Sequence, residues 1–584
     1  LLKRTHTCGE LTKANLEEEV RLNGWVDSWR DHGGVLFIDL RDRYGKTQIV
    51  FSLKTSPKIY SDAKKLRSEF VIAILGIVKE RPEDSKNPDL FTGEIEIFCK
   101  ELEILNESKT PPFELKEHLE ISEDIRLKYR FLDLRRPVLQ KKFILRHQIA
   151  QITREFFSEH QFLEIETPFL TKSTPEGARD FVVPSRLQLS KFYALPQSPQ
   201  TYKQILMTAG FDRYFQIVRC FRDEDLRKDR QPEFTQVDIE MSFVEEEDIY
   251  DIMEKYMQRV FQKVLNVEIK VPFPRYTFEE TMVKYGSDKP DLRYGLQIHN
   301  LTDLFRNSDF KVFKSAFDSN GFIGALVLPE AANYSRKQID DLNEFIKRIN
   351  GAGNAYTKKT GHTFSGGIAK FFKPEEITQL NAIFNQHEEA LILFVADTEV
   401  LKAQTLLGIL RQKLASDLAL IDQNKIALSW TVDFPLLEFS EEEKRYVARH
   451  HPFTSPKLED LKFLENAPER VKARAYDLIF NGNEIAGGSI RIFTRQIQEK
   501  MFSALGISRE EAKNKFGFLL DAFDYGTPPH GGIAFGFDRL VMLLAKTDSI
   551  RDVIAFPKTS SALALMENAP SYISENQLDE LGIR

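Results

Sequence analysis

A chain of 584 residues is too long for one hydrophobic core, so several domains are expected. Its 42% hydrophobic and 29% charged residues describe a globular protein in water, and a formal charge of −7 excludes a generally basic nucleic-acid coat without excluding local basic surfaces. Cys8, Cys99 and Cys220 stand apart with no CxxC spacing, which argues against a zinc site or a disulfide framework and suits a reducing, cytoplasmic compartment. The first residues lack the apolar run of a signal peptide, and no apolar stretch is long enough to span a membrane.

Residues 1–108 read as a small β-barrel. Strand-like runs near 20–26, 35–40, 47–53, 70–78 and 94–102, separated by turn residues, suit a five-stranded OB-fold. In the second run Leu36, Ile38 and Leu40 alternate inward, which turns Phe37 outward beside Gln48 and Arg30. An outward aromatic next to an amide and an arginine fits stacking on, and edge-reading of, an unpaired base. The plain alternative is a surface Phe on a twisted barrel. Residues 109–136, with Pro111, Pro112 and many charges, read as a hinge whose charges are mostly solvated, with Arg126, Lys128 and Arg130 open to a polynucleotide backbone.

From Leu139 an amphipathic helix is expected, with Leu145, Ile149, Ile152 and Phe156 on one stripe. A strand ending at Pro168 and a loop over 173–180 follow. Residues 215–241 read as strand, charged loop, strand. In the second strand Val237, Ile239 and Met241 face one way, while Gln236, Asp238 and Glu240 face the other. Three hydrogen-bonding groups in a row beside an arginine-rich loop suit the floor of a polar ligand site; a solvated hairpin is the alternative. Residues 291–425 carry a strand near 323–328, a helix near 335–349 and Gly-rich turns, without a catalytic constellation. His450 and His451 are adjacent, a spacing at which two histidines rarely share one metal ion. Gly487 and Gly488 remove side chains where backbone must approach a ligand. Glycines at 531, 532 and 536 lead through a strand into an apolar helix whose first turn carries Arg539. No GxxxxGK[ST] phosphate loop is present.

The run Arg222-Asp223-Glu224, then Arg230-Gln231-Pro232-Glu233-Phe234, resembles motif 2 of the class II aminoacyl-tRNA synthetases, in the bacterial form of the aspartyl branch. The helix ending before Pro168 resembles motif 1, and Gly536-Phe537-Asp538-Arg539 resembles motif 3. The barrel resembles the family's anticodon-binding domain through Gly24-Trp25-Val26 and Phe37 to Asp42, with Trp29 where many relatives carry a basic residue.

The resemblance implies an α+β fold: an antiparallel class II catalytic sheet with flanking helices, an OB-fold domain and an inserted α+β domain. It divides the chain into the anticodon-binding domain (1–108), a hinge (109–136), two catalytic segments (137–290 and 426–559), an insertion (291–425) and a C-terminal extension (560–584). It implies ATP-dependent ligation of aspartate to tRNA-Asp, with Mg²⁺, by a homodimer. Arg222 and Arg539 take the catalytic role, and Arg222, Asp223, Glu224, Gln231, Glu484, Gly536, Phe537, Asp538 and Arg539 bind ATP. Glu176, Ser198, Gln200, Lys203, Arg222, Asp238, His450 and Arg491 hold aspartate, and Asp477 and Glu484 hold the metal. A planar guanidinium fork at Arg491 suits a carboxylate, where a lysine-specific relative needs acids. Arg30, Phe37 and Gln48 read the anticodon. The loop Asp31-His32-Gly33-Gly34 resembles that of relatives charging both tRNA-Asp and tRNA-Asn, which makes His32 a tRNA-range determinant. The competing readings are an asparagine or lysine sibling and a non-catalytic tRNA-binding relative. The second would lack a motif arginine, yet both are present.

Overall fold

The computed structural model describes residues 3–174 and 178–583. They form two compact units, residues 1–146 with 551–572 and residues 147–550 with 573–584.

The first unit is built on a closed barrel of β1 (Glu19–Asp31), β2 (Val35–Arg41), β3 (Lys46–Ser52), β4 (Val71–Glu80) and β5 (Ile95–Asn106), in the order β1-β2-β3-β5-β4. The five strands fall within a few residues of the five apolar runs. Val20, Leu22, Leu36, Ile38, Leu40 and Ile49 fill its interior, each at most 1% exposed. Most charges of the run after the barrel are exposed, Glu114, Lys116, Glu120 and Lys128 among them, but its last part is not. It folds into short helices, Glu123–Lys128 and Arg130–Asp133, in which Arg126, Arg130 and Arg136 converge on the buried Asp133. Arg130 also donates to the backbone oxygens of Arg551, Ile554 and Ala555. A buried carboxylate ringed by guanidiniums is held by its partners and leaves few of these charges for an outside ligand. Residues 551–572 group with the first unit.

Helix α1 (Pro137–Glu159) leads into the second unit. Its main sheet has eight strands: β6 (Leu163–Glu164), β7 (Arg213–Phe221), β8 (Glu233–Ser242), β9 (Arg275–Thr277), β10 (Leu428–Val432), β11 (Ala475–Phe480), β12 (Asn483–Ile490) and β13 (His530–Gly536), in the order β9-β10-β11-β12-β13-β8-β7-β6. All pairs are antiparallel except the two at the edges, β9–β10 and β6–β7. β8 lies between β7 and β13, with Asp238 opposite Gln216 on one side and Ala534 on the other. Three helices frame the sheet: α2 (Gln200–Thr208), α3 (Glu246–Leu265) and α4 (Phe537–Leu544). α3 buries Ile249, Met253, Tyr256, Met257, Val260 and Phe261 along one stripe and ends on Asn266 in the left-handed region (φ 53°).

Between β9 and β10 the chain builds a separate five-stranded sheet, in the order 299–300, 322–329, 389–397, 355–360, 363–365. Both its faces are apolar because helices cover both. Ile339, Leu342, Ile346, Leu407 and Leu410 pack on one side, and Phe313, Leu380 and Phe384 on the other. Among the described residues no helix is long and apolar enough to cross a membrane.

Candidate active site

The polar face of β8 is not solvated. Gln236, Asp238 and Glu240 are 9%, 1% and 0% exposed; Gln236 and Asp238 line a cavity of about 550 Å³, and Glu240 is buried without lining it. Burying two carboxylates requires partners. The first is Lys203 on α2, 1% exposed, whose ammonium lies 2.9 Å from Asp238 Oδ1 and 3.2 Å from Glu240 Oε2. The second is Arg491, just past β12, which donates through Nε to Glu240 Oε1 (2.9 Å) and through Nη2 to Glu240 Oε2 (3.2 Å). Burial pushes the Glu240 carboxyl up, but Arg491 and Lys203 outweigh it and hold it below the usual carboxylate range. Gly532 on β13 makes room for this carboxylate: a Cβ there would lie 2.0 Å from Glu240 Oε2.

Arg491 Nη1 has two neighbours, donating to Ser489 Oγ at 2.7 Å and meeting His451 Nε2 at 2.5 Å. Desolvation, then Arg491, His450 and Lys203, push His451 well below the ordinary imidazole range, so the ring is neutral. The adjacent His450 serves a different corner. Its ring lies edge-on to Phe434 and its Nε2 is 3.7 Å from Asp477 Oδ1. The sequence grouped His450 with Lys203 and Arg491; both histidines line the cavity, and of the two it is His451 that meets Arg491, because consecutive side chains diverge.

Among the buried atoms of cavity-lining residues without a hydrogen-bond partner are Asp238 Oδ2 and Gln200 Nε2, an acceptor and a donor. A buried polar group left unmatched costs about 1–3 kcal/mol, so such atoms mark where a ligand's complementary groups belong. Ser198 lines the same wall, and its Oγ accepts from the Gln200 backbone N–H at 3.3 Å.

At the other end of the cavity Arg222 leaves β7 with its guanidinium over the Phe234 ring, 5.0 Å from the centroid. Glu224 pairs with Arg230 at 3.2 Å, and Gln231 is 2% exposed against the wall. Arg539 in the first turn of α4 donates through Nη1 to the Glu484 backbone oxygen (2.6 Å) and through Nη2 to Asp229 Oδ2 (3.3 Å). Gly536 lines the cavity beside it. Three sequence-predicted residues stand differently. Asp223 is exposed, outside the cavity lining, with its carboxylate 3.9 Å from Arg179. Phe537 is 2% exposed as the first residue of α4 and does not reach the cavity. Asp538 borders it, but its Oδ2 accepts from the Thr235 N–H at 2.7 Å, tying α4 to β8. Glu176 lies outside the described residues.

Asp477 on β11 and Glu484 on β12 meet where Gly487 carries no side chain; a Cβ there would lie 2.8 Å from Asp477 Oδ1. Asp477 raises the Glu484 carboxyl, with desolvation adding to it, against the pull of Arg539, Lys289 and His450. Asp477 Oδ1 is buried without a hydrogen-bond partner. Two crowded hard oxygen donors, one orphaned, fit a divalent cation that takes its remaining ligands from phosphate and water. Among the described residues no group of three or more His, Cys, Asp or Glu forms a self-sufficient metal cage.

In the barrel, Phe37 is half-buried and sits directly across from Arg30, with the His32 ring edge-on at 5.8 Å. Gln48 lies opposite Asp39 rather than Phe37, is 6% exposed, and links Arg30 (3.2 Å) to Glu96 (2.8 Å).

Residues 122–560 match the family of class II tRNA synthetases for D, K and N, and residues 20–105 match the OB-fold nucleic acid binding domain. The chain is a class II aminoacyl-tRNA synthetase. It is 53% identical to the aspartate–tRNA(Asp/Asn) ligase of Natranaerobius thermophilus over 583 residues, covering 100% of both chains. It is equally 53% identical to the aspartate–tRNA ligase of Geobacillus kaustophilus, covering 99% of this chain and 98% of that one. In fold it resembles the asparaginyl-tRNA synthetase of Pyrococcus horikoshii complexed with asparaginyl-adenylate (TM-score 0.61, 18% identity, 96% of this chain and all of that one). It likewise resembles the aspartyl-tRNA synthetase of Entamoeba histolytica (TM-score 0.57, 19% identity, 95% of this chain and 91% of that one).

Proposed function

We infer that this synthetase activates L-aspartate with ATP and transfers it to the 3′ end of tRNA-Asp. The observation that carries this reading is the pair of buried cations, Lys203 and Arg491, in the β8 cavity. Cations there suit a side-chain carboxylate and oppose a lysine side chain.

The residues take these roles. Asp238 Oδ2 accepts from the substrate ammonium, with Glu176 as a second carboxylate, and Ser198 and Gln200 hold the polar backbone of the amino acid. Lys203 and Arg491 take the side-chain carboxylate. The α-carboxylate oxygen attacks the α-phosphorus; a P–O bond forms to aspartate and the P–O bond to pyrophosphate breaks. Arg222 stabilises the charge that grows on the α-phosphate, Glu224 and Gln231 seat the adenine end, and Arg539 holds the γ-phosphate end. Phosphoryl transfer of this kind is mostly positioning and charge stabilisation. Asp477 and Glu484 would hold Mg²⁺, which would supply positive charge to the phosphates. The 3′-terminal ribose hydroxyl of tRNA then attacks the acyl carbon and releases AMP.

Arg30, Phe37 and Gln48 read the anticodon. The His32 loop and the aspartate–tRNA(Asp/Asn) ligases among the relatives support a range that includes tRNA-Asn. Exposed Leu163, Phe169 and Leu170 after α1 support a homodimer through this region.

The test is aspartate charging of tRNA-Asp and tRNA-Asn transcripts side by side at one salt concentration. Charging of tRNA-Asp supports the function, and comparable rates on both support the wider range. Charging of tRNA-Asp alone removes the wider range, and charging of neither contradicts the function.

A further inference from the structure

We propose that Arg411 is a positioning residue for the acid pair Asp477 and Glu484, acting from the inserted domain through the chain segment 286–296. The proposal rests on the reading of that pair as the metal end of the site. It gives a task to an insertion in which the sequence shows no catalytic constellation.

Arg411 lies on the last helix of the insertion, Val400–Asp417, and is 3% exposed. Its guanidinium sits 4.1 Å from the Tyr294 ring centroid and 5.1 Å from that of Tyr285. Nε donates to the Leu296 backbone oxygen (2.9 Å) and Nη1 to Tyr294 Oη (3.0 Å). Nη2 donates to the backbone oxygens of Asp291 (2.9 Å), Gly295 (3.0 Å) and Tyr294 (3.3 Å). Taking a guanidinium out of water is costly unless its N–H groups find acceptors, and here they grip the main chain of residues 291–296. Leu296 is left-handed (φ 62°), a conformation that a non-glycine residue keeps only where its surroundings impose it. A second lock lies one turn back along the same helix. A Cβ on Gly408 would lie 2.1 Å from the Gly286 backbone oxygen, and one on Gly286 would lie 2.5 Å from the Gly408 nitrogen. The helix and the start of the segment therefore meet backbone to backbone.

The other contacts of this segment lead to the acid pair. Gly482 stands in the turn between β11, which carries Asp477, and β12, which carries Glu484. A Cβ on Gly482 would lie 2.8 Å from Asp291 Cβ, so the turn rests on the residue whose backbone oxygen Arg411 holds. The Asp288 backbone oxygen accepts from Thr431 Oγ1 at 2.7 Å, and Thr431 on β10 is the ladder partner of Asp477. The Asp288 carboxylate meets Arg449 at 3.2 Å, and both residues line the cavity. Groups that hold ligand-bearing elements in place commonly set metal affinity by about 10- to 100-fold. Lys203 and Asp238 belong to α2 and β8, outside this chain of contacts. The insertion therefore bears on the ATP and metal end of the cavity and not on the floor.

The experiment compares the full-length wild type with Arg411→Met, Arg411→Lys and Gly408→Ala. Lysine keeps the charge but lacks the planar fork that serves several oxygens at once. Three quantities are read: equilibrium binding of ATP with Mg²⁺ in the absence of aspartate, the KM for aspartate in ATP–pyrophosphate exchange, and backbone amide exchange of the ligand-free enzyme. Both Arg411 variants are expected to weaken ATP binding about tenfold and to raise the Mg²⁺ concentration that half-saturates it, with the KM for aspartate unmoved. Amide exchange is expected to speed up over residues 476–490 and to stay unchanged over residues 233–242. Gly408→Ala removes no charge and is expected to shift the same quantities in the same direction. If Arg411→Met fails to fold, Arg411→Lys and Gly408→Ala decide the matter. Unmoved ATP binding, or ATP and aspartate weakened alike with faster amide exchange in both segments, overturns the proposal and leaves the reading of the acid pair intact. Wild-type ATP binding that ignores Mg²⁺ overturns that reading and the proposal with it.

Discussion

Strands β2 and β8 carry the same alternation and put it to opposite uses. In β2, Leu36, Ile38 and Leu40 fill the barrel while Val35, Phe37 and Asp39 remain half-exposed. In β8, Val237, Ile239 and Met241 are buried, and so are Gln236, Asp238 and Glu240 on the other face. Alternation identifies the apolar face of a strand. It does not say whether the polar face meets water or a cavity lined with opposite charge. That depends on what distant segments bring, here Lys203 from α2 and Arg491 from the end of β12.

The largest effect that separates the two strands is on stability. Replacing Glu240 by Leu leaves Lys203 and Arg491 buried with one carboxylate fewer, and breaking a buried pair costs about 3–5 kcal/mol in chemical unfolding. Replacing Glu19 in the barrel, whose partner Lys100 is half in solvent, costs at most about 1 kcal/mol. Equal costs would show that the β8 quartet is not the dry network described. The next effect is catalytic. Arg222→Ala is expected to remove about 3 kcal/mol of transition-state stabilisation, on the order of a hundredfold in exchange rate, with little change in unfolding. Near-wild-type exchange by this variant would remove Arg222 from the chemistry.

The barrel variant Phe37→Ala sharpens the contrast from the other side. Loss of one stacked base costs about 1–3 kcal/mol in kcat/KM for tRNA, while aspartate-dependent exchange stays at the wild-type rate. A drop in exchange as well would place Phe37 in the fold rather than in recognition. The smallest effect concerns the acid pair. Glu484 is raised in the fold, so its contribution to stability is full below its ordinary range and is lost as pH rises through the shifted value. Glu484→Gln is therefore expected to melt higher than wild type at pH 8, with the gain vanishing in acid, while exchange is impaired. A gain that does not depend on pH would refute the crowding of the two carboxylates.

Much of this was legible in the sequence. The five barrel strands, the β8 alternation and the glycines at 487 and 532 each follow from local pattern. The catalytic motifs identified Lys203, Arg222, Arg491 and Arg539 before any geometry. What stayed hidden needed contacts across the chain. Glu240 stood in plain view on the polar face, but its two partners lie in other segments. His450 and His451 are adjacent, and only the path of the chain through Pro452 shows which one meets Arg491. Arg126 and Arg130 read as open to a polynucleotide backbone because the buried position of Asp133, on which they converge with Arg136, is a tertiary fact.

The most direct test of the central claim is amino-acid-dependent ATP–pyrophosphate exchange by the purified enzyme, offered aspartate, asparagine and lysine separately at equal concentration. The buried pair Lys203 and Arg491 predicts rapid exchange with aspartate and little with the other two. Faster exchange with asparagine or lysine, or none with aspartate, would contradict the assignment of the β8 cavity to a side-chain carboxylate.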